Sequence, residues 1–361
     1  MNKIRKGTTG ALAVGGLLAL AGLVPPGAHA IVDGERVTSA QAPWVVSFVS
    51  ETGERRFHTC SGTAVGPRRV VTARHCVEHS GTWRDLVISG SDRPESAPGK
   101  GIALAHVWVP VLIDELRGDM SDSDLAVVET ARDLGVPALP LAAAGFAAAP
   151  AEPVHAYGFG ASDRSAARDE PALLRRAAMR MHTPAECGES DFGNNLTAIC
   201  AERLVGPGGG NVSFGDSGGG LVREGAGGPE LLGVNSVITG GMHSDDLAGF
   251  ASVPALRGFL DAPERGYELP RPLSAARLRG AARVGGTARC EVRWSLAVKR
   301  RKTVWRLTRR GARERRIEGR ALTLKLPASA RGWRLSCAVS GGLSELYGST
   351  SEWSREIEVK R

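Results

Sequence analysis

From about residue 31 to residue 262 the chain alternates short apolar runs with clusters of Gly, Pro, Asp and Ser. The runs Trp44–Val49, Arg69–Thr72, Leu86–Ser89, Leu125–Val128, Val154–Tyr157 and Leu231–Ile238 are rich in Val, Leu and Ile. Many short strands with turn residues between them predict a β-sandwich or barrel, with a short closing helix over Val253–Leu260. Residues 263–270 contain Pro263, Gly266 and Pro270 and are expected to be a linker. Beyond it, Thr287–Leu296, Thr303–Thr308, Leu322–Leu326, Arg334–Ser340 and Glu356–Lys360 again have the pattern of strands. No fixed-period repeat or heptad pattern is present.

The first thirty residues differ from all of this. Lys3, Arg5 and Lys6 precede an apolar stretch over residues 8–24, Pro25 and Pro26 break it, and Ala28-His29-Ala30 has the form of a cleavage site. This is the pattern of an export signal over 1–30, cut after Ala30. It predicts a secreted, extracellular protein without a transmembrane anchor, in a bacterial setting. Cleavage there would expose a new amino terminus, Ile31-Val32-Asp33-Gly34. The sequon at Asn195 is then expected to be accidental.

Charge divides the chain. The whole has a formal charge of +8. Residues 262–361 hold 24 Lys and Arg against 9 Asp and Glu, 24 − 9 = +15, so the rest carries −7. The split predicts a domain over 31–262 and a second, basic one over 271–361. The six cysteines include no C-x-x-C pair, which favours disulfides over a metal site and leaves fifteen pairings open.

Three stretches carry chemistry. Gly215-Asp216-Ser217-Gly218-Gly219 places a serine on a glycine-bounded turn, where the Gly215 and Ser217 N–H groups can converge on an oxyanion. Thr72-Ala73-Arg74-His75-Cys76 sets a histidine at the end of an apolar strand. Asp124 opens another such strand. Any one of these is ordinary on its own. Together they supply a nucleophile, a base and a group to orient the base.

In this order, with Ile31–Gly34 ahead of them, these motifs resemble the chymotrypsin-like (trypsin-like) serine proteases over about residues 31–262. The resemblance implies an all-β fold of two six-stranded antiparallel barrels with the site in the cleft between them. It implies a serine endopeptidase with no cofactor or metal, acting on protein or peptide substrates as a monomer. His75 would be the base, Asp124 its orienting partner and Ser217 the nucleophile. Gly215 and Ser217 would form the oxyanion hole, and Ile31 would pair with Asp216 on activation. Ser236 would lie on the strand that aligns substrate. Asn211 would lie at the pocket floor, and Ile238 would narrow the pocket. A neutral floor predicts a preference for small or medium neutral residues rather than Arg or Lys. The resemblance also implies disulfides Cys60–Cys76 and Cys187–Cys200, leaving Cys290 with Cys337.

The sequence departs from the family at several positions. Arg74 replaces a small residue beside the histidine, and must turn outward or disturb it. Gly220 replaces a proline, and Ser213 stands where many relatives have a cysteine. Cys290, Trp305 and Cys337 resemble the core of the Ig-like sandwiches appended to secreted bacterial proteins. The basic charge of that domain predicts attraction to an anionic cell-surface polymer, and no nucleic-acid motif is present. The competing reading is a protein that binds through this domain on an impaired protease scaffold.

Overall fold

A computed structural model describes residues 31–52, 55–78, 85–99, 101–110, 124–161, 171–188, 197–204, 206, 208–238, 247–298, 300–342, 348–351 and 353–361. The residues read as an export signal, 1–30, and Asn195 lie outside the described residues. None of the described helices is long and apolar enough to cross a membrane.

The first strand, β1 (Glu35–Arg36), is only two residues long. Next come β2 (Val45–Thr52), β3 (Arg55–Gly66) and β4 (Arg69–Thr72), then helix α1 (Arg74–Glu78), then β5 (Asp85–Ile88), β6 (Ile102–Val109) and β7 (Ala126–Thr130). Strands β2–β7 run in the order β6-β5-β2-β3-β4-β7, and β6 pairs with β7 to close a six-stranded antiparallel barrel. Closure removes the free edges that a row of short strands would otherwise expose. Val46, Phe48, Ala64, Val70, Val107 and Val128 fill its interior.

The second barrel is built from β8 (Pro153–Gly158), β9 (Arg175–Met181), β10 (Ala198–Arg203), β11 (Gly220–Gly225), β12 (Gly228–Ile238) and β13 (Ala248–Ser252). Helix α2 (Pro184–Gly188) precedes β10, and α3 (Arg257–Leu260) follows β13. The order β9-β10-β13-β12-β11-β8 closes through β8–β9, and β1 is added at β9. Val154, Ala156, Met179, Leu221, Leu232 and Phe250 form its core together with the buried Ile31. A third cluster joins the barrels, with Val45, Val71, Leu125 and Val127 of the first against Tyr157, Phe159, Leu174, Leu231 and Val234 of the second. The fold is thus two closed six-stranded barrels of the chymotrypsin-like kind. Helix α3 is shorter than the run from Val253 predicted, because the backbone from Val253 to Leu256 turns before it becomes helical.

The stretch read as a linker is ordered on the first barrel. Pro263–Arg265 makes a 3-10 turn, and β14 (Tyr267–Glu268) pairs with Val109 and Trp108 of β6. Leu269 is 1% exposed and sits in the first barrel's core. Arg271 is buried too, and its Nη2 donates to the Ala105 carbonyl at 2.6 Å. The Pro and Gly residues of the stretch serve a path that hugs the barrel rather than a flexible tether.

The carboxy-terminal part holds β15 (Arg277–Gly280), β16 (Thr287–Glu291), β17 (Arg300–Thr308), β18 (Arg315–Gly319), β19 (Thr323–Lys325), β20 (Arg334–Gly342), β21 (Gly348–Thr350) and β22 (Ile357–Glu358). Strands β15-β16-β19 form one open antiparallel sheet. The order β18-β17-β20-β21, with β22 also on β20, forms the other. Both sheets contribute to one core of Ala288, Cys290, Trp305, Leu307, Trp333, Leu335 and Cys337. Burial along β16 alternates, with Ala288 and Cys290 inward and Thr287, Arg289 and Glu291 outward, which lets so basic a domain keep an apolar interior. The three disulfides are Cys60–Cys76, Cys187–Cys200 and Cys290–Cys337.

Replacing Leu269 by Ala empties space in the first barrel rather than in a tether. The expected loss is about 2–5 kcal/mol of stability by denaturant titration, and a loss near zero would mean the stretch does not pack there.

Candidate functional site

The three motifs meet between the barrels. His75 lies on α1, directly after β4 of the first barrel, and Asp124 lies just ahead of β7, the strand that pairs with β4. Pairing of Thr72 with Ala126 therefore brings His75 to Asp124. The His75 Nδ1 is 2.6 Å from Asp124 Oδ2, and the His75 backbone N–H donates to Asp124 Oδ1 at 2.9 Å. A carboxylate oxygen only accepts, so Nδ1 carries the proton and Nε2 keeps its lone pair. Ser236, on β12 of the second barrel, donates its Oγ proton to Asp124 Oδ2 at 2.6 Å. Burial disfavours the imidazolium, but the Asp124 carboxylate outweighs it and holds the His75 pKa above its ordinary 6.5. Burial likewise opposes charge on Asp124, and the bonds from His75 and Ser236 outweigh that and lower its pKa.

Ser217 sits on the turn before β11, held from both barrels. Its carbonyl accepts the Ser61 N–H of β3 at 2.8 Å, and the next amide, Gly218, donates to the Asn235 carbonyl of β12 at 2.7 Å. The Ser217 carbonyl is also 3.6 Å from Cys76 Sγ, in the residue after His75. Gly218 has φ +82°, and a Cβ there would stand 2.1 Å from Thr72 Oγ1. Only glycine allows the serine turn to approach the histidine strand this closely. Among the described residues no protein group accepts the Gly215 or Ser217 N–H, so both remain available to an oxyanion.

Two supports of this turn were not visible in the sequence. His58 Nε2 and Ser61 Oγ both donate to the Gly215 carbonyl, at 2.9 and 3.0 Å. Burial pushes the His58 pKa down to about 4, so the ring is neutral and its Nδ1 accepts the Ser47 hydroxyl at 2.7 Å. No local motif marks His58, since its role depends on a contact 157 residues away. Phe214, 56% exposed beside Gly215, was also missed, although an exposed aromatic flanking a motif was a usable signal.

Asp216 is fully buried. Its Oδ1 accepts the Gly160 N–H and its Oδ2 the Ser213 N–H, each at 2.8 Å. The carboxyl fits only because Gly158 lacks a side chain, whose Cβ would lie 2.1 Å from Oδ1. Burial pushes its pKa up to about 7, against the two amide donors and a weaker pull from Arg175. Ile31 is buried nearby in the sense of the chain, because Val32 bridges to Asn211 on the segment leading to Ser213 and Asp216. Asn211 is buried and its Oδ1 accepts the Val212 N–H at 2.9 Å. Ile238 ends β12, its backbone paired with Ala248. The site is thus assembled from His75, Asp124, Ser236 and the 215–219 turn, which includes Asp216, with Asn211 on the segment before it.

Arg74 does not stay in solvent. It is 4% exposed, with Nε 3.3 Å from Glu78 Oε2. His75 and the sulfurs of Cys60 and Cys76 offer atoms within 4.8 Å of one another, but the sulfurs are joined as a disulfide and present no thiolate to a metal.

A closed double barrel with a carboxylate-bound imidazole beside a serine turn is the architecture of a serine-type endopeptidase. The family model for trypsin matches residues 31–258, and the chain belongs to that family. It is 29% identical over 240 residues to trypsin alpha-4 of Lucilia cuprina, covering 65% of this chain and 88% of that protein. It is 28% identical over 258 residues to trypsin beta of Drosophila erecta, covering 69% and 94%. A shorter match, 38% identical over 63 residues, is to the human chymotrypsin-like elastase family member 3B, covering 18% and 23%. The chain is a serine-type endopeptidase hydrolase.

The raised Asp216 pKa has a sign that can be tested. Between its ordinary 3.8 and about 7 the folded full-length chain binds a proton there that the unfolded chain releases. Stability is therefore expected to fall as pH rises from about 4 to 7, by a few kcal/mol on the order of magnitude set by linkage. Urea midpoints of Asp216→Asn should lose this slope; an unchanged slope would exclude Asp216 as its source.

Proposed function

We propose that the chain cleaves peptide bonds through an acyl-enzyme on Ser217. The observation that carries this reading is the 2.6 Å His75–Asp124 contact, which leaves Nε2 as the free base beside the serine turn. Ser217 Oγ attacks the substrate carbonyl carbon while His75 Nε2 takes its proton. The carbonyl oxygen becomes an oxyanion between the Gly215 and Ser217 N–H groups, the donors left without protein acceptors. His75 then returns the proton to the departing amine, and the C–N bond breaks. Water, deprotonated by His75, attacks the ester; the acid product leaves and Ser217 regains its proton. Asp124 holds the imidazole tautomer and offsets the positive charge that forms on it, and Ser236 holds Asp124.

Asn211 at the floor brings no charge, so a buried Arg or Lys of the substrate would find no counter-ion. By the resemblance Ile238 would narrow the pocket, and we assign a preference for small or medium neutral residues before the scissile bond. Phe214 adds an apolar rim. Activation follows from Asp216: a buried carboxyl with only amide donors accepts a cation readily, and the ammonium freed at Ile31 by cleavage after Ala30 supplies one. Export and activation then coincide in a secreted enzyme.

The carboxy-terminal domain is assigned as an Ig-like sandwich, on the ground that Trp305 lies opposite Cys337 across β17 and β20 and shares a core with the Cys290–Cys337 bridge. Its anionic polymer would meet an open cavity of about 520 Å³ lined by Thr308, Arg309, Arg310, Ala312, Glu314 and Arg334.

The test is kcat/KM over peptides varied at one position, on secreted protein whose first residue has been determined. The reading predicts a chain starting at Ile31, hydrolysis of small neutral substrates best, and a loss of 10³-fold or more, on the order expected for removing the nucleophile, in Ser217→Ala. Because catalysis needs neutral His75, kcat/KM should rise with pH on its acid side, with the midpoint of that rise above 6.5. Highest activity on Arg or Lys would overturn the specificity, and an unaffected Ser217→Ala would overturn the mechanism.

A further inference from the structure

Helix α1 carries His75, and its two charged neighbours are buried where a surface helix should leave them wet. Residues advance by about 100° around a helix, so Arg74 and Glu78 share one face and Cys76 lies on the opposite one. Cys76 is tied to Cys60 of β3, and Val77 enters the first barrel's core. The Arg74–Glu78 face therefore points away from β3. Yet each residue is only 4% exposed.

Strand β21 of the carboxy-terminal part comes close to this helix. Cα atoms of β21 lie within 8 Å of those of α1, and Ser349 in the middle of β21 is 1% exposed. Strand β21 is anchored on β20 through Gly342–Gly348, Gly341–Ser349 and Ser340–Thr350, with Ser340 Oγ 2.8 Å from Thr350 Oγ1. The same domain is strapped to the first barrel by β14 on β6 and by the buried Arg271. The domain thus reaches one barrel at two places, and one of them is the helix that presents the histidine.

A buried ion pair is a poor source of stability, since desolvation offsets most of its attraction, but it is sensitive to what covers it. Burial pushes the Glu78 pKa up to about 7, with Arg74 pulling the other way. Across the helix, Glu78 favours a charge on His75 and Arg74 opposes it, next to the larger effect of Asp124.

We propose that the carboxy-terminal domain is a working part of the catalytic unit: β21 seals the Arg74–Glu78 face of α1 and thereby fixes the helix that presents His75. Arg74 and Glu78 are positioning residues. The proposal rests on the reading of His75 as the catalytic base.

The test uses the full chain with Ser349→Arg, which puts a long charged side chain on the buried middle residue of β21, and Ser349→Ala, which keeps that residue small. Active sites are counted with a fluorophosphonate, kcat and KM are measured per active site, and amide exchange is followed at residues 75–77 and along β11. Ser349→Arg should speed exchange at 75–77 but not in β11. It should lower kcat about tenfold with KM unchanged, as expected when a catalytic group is slightly misplaced, and Ser349→Ala should match the parent. Unchanged kcat, unchanged exchange at 75–77, or a loss explained wholly by fewer active sites would overturn the proposal. If Ser349→Arg does not fold, Glu78→Gln must give the same two changes, and failure to do so overturns it equally. A parent enzyme that the fluorophosphonate does not label would refute the catalytic reading, while exchange at 75–77 would still decide the contact.

Discussion

The fully buried carboxyl of Asp216 constrains everything around it. It has no room beside any side chain at Gly158, and it is held by amides from β8's exit and from Ser213. Its carboxyl is thereby fixed, and the next residue, Ser217, meets the first barrel through its carbonyl. There the Ser61 amide takes the Ser217 carbonyl, and Gly218 passes Thr72 at a distance no Cβ tolerates. A carboxyl so placed carries a large desolvation cost, which makes the turn responsive to a nearby positive charge.

The first barrel meets this turn with an equally local device. Pairing of β4 with β7 sets His75 against Asp124, and Ser236 reaches over from the second barrel to complete the carboxylate's bonds. Neither barrel contains the site alone. The apolar cluster shared between them, from Val71 and Leu125 to Phe159 and Val234, is what keeps His75 and the Ser217 turn in register.

The candidate site was legible in the sequence because its residues sit in short motifs whose neighbours reveal their setting. His75 follows an apolar strand, Asp124 opens one, and Ser217 is bounded by glycines that only a tight turn requires. The two barrels were legible as a class, though β1 and β14 were not, since two-residue strands carry no periodicity. The docking of Leu269 and the burial of Arg271 escaped notice because Pro and Gly dominate that stretch and the barrel that receives it is distant in sequence. Arg74 was visible as an anomaly beside the histidine. Its resolution is a buried pair with Glu78, on a helix that comes close to β21, a strand some 270 residues further on by the order of the chain. Long-range contacts of this kind leave no local trace.

The central claim is that Ser217 is an activated nucleophile. Covalent labelling of the purified enzyme by a fluorophosphonate, read by intact mass and peptide mapping, tests it most directly. One adduct located on Ser217, lost in His75→Ala, is the predicted result. An adduct elsewhere, or none on a chain that begins at Ile31, would contradict it.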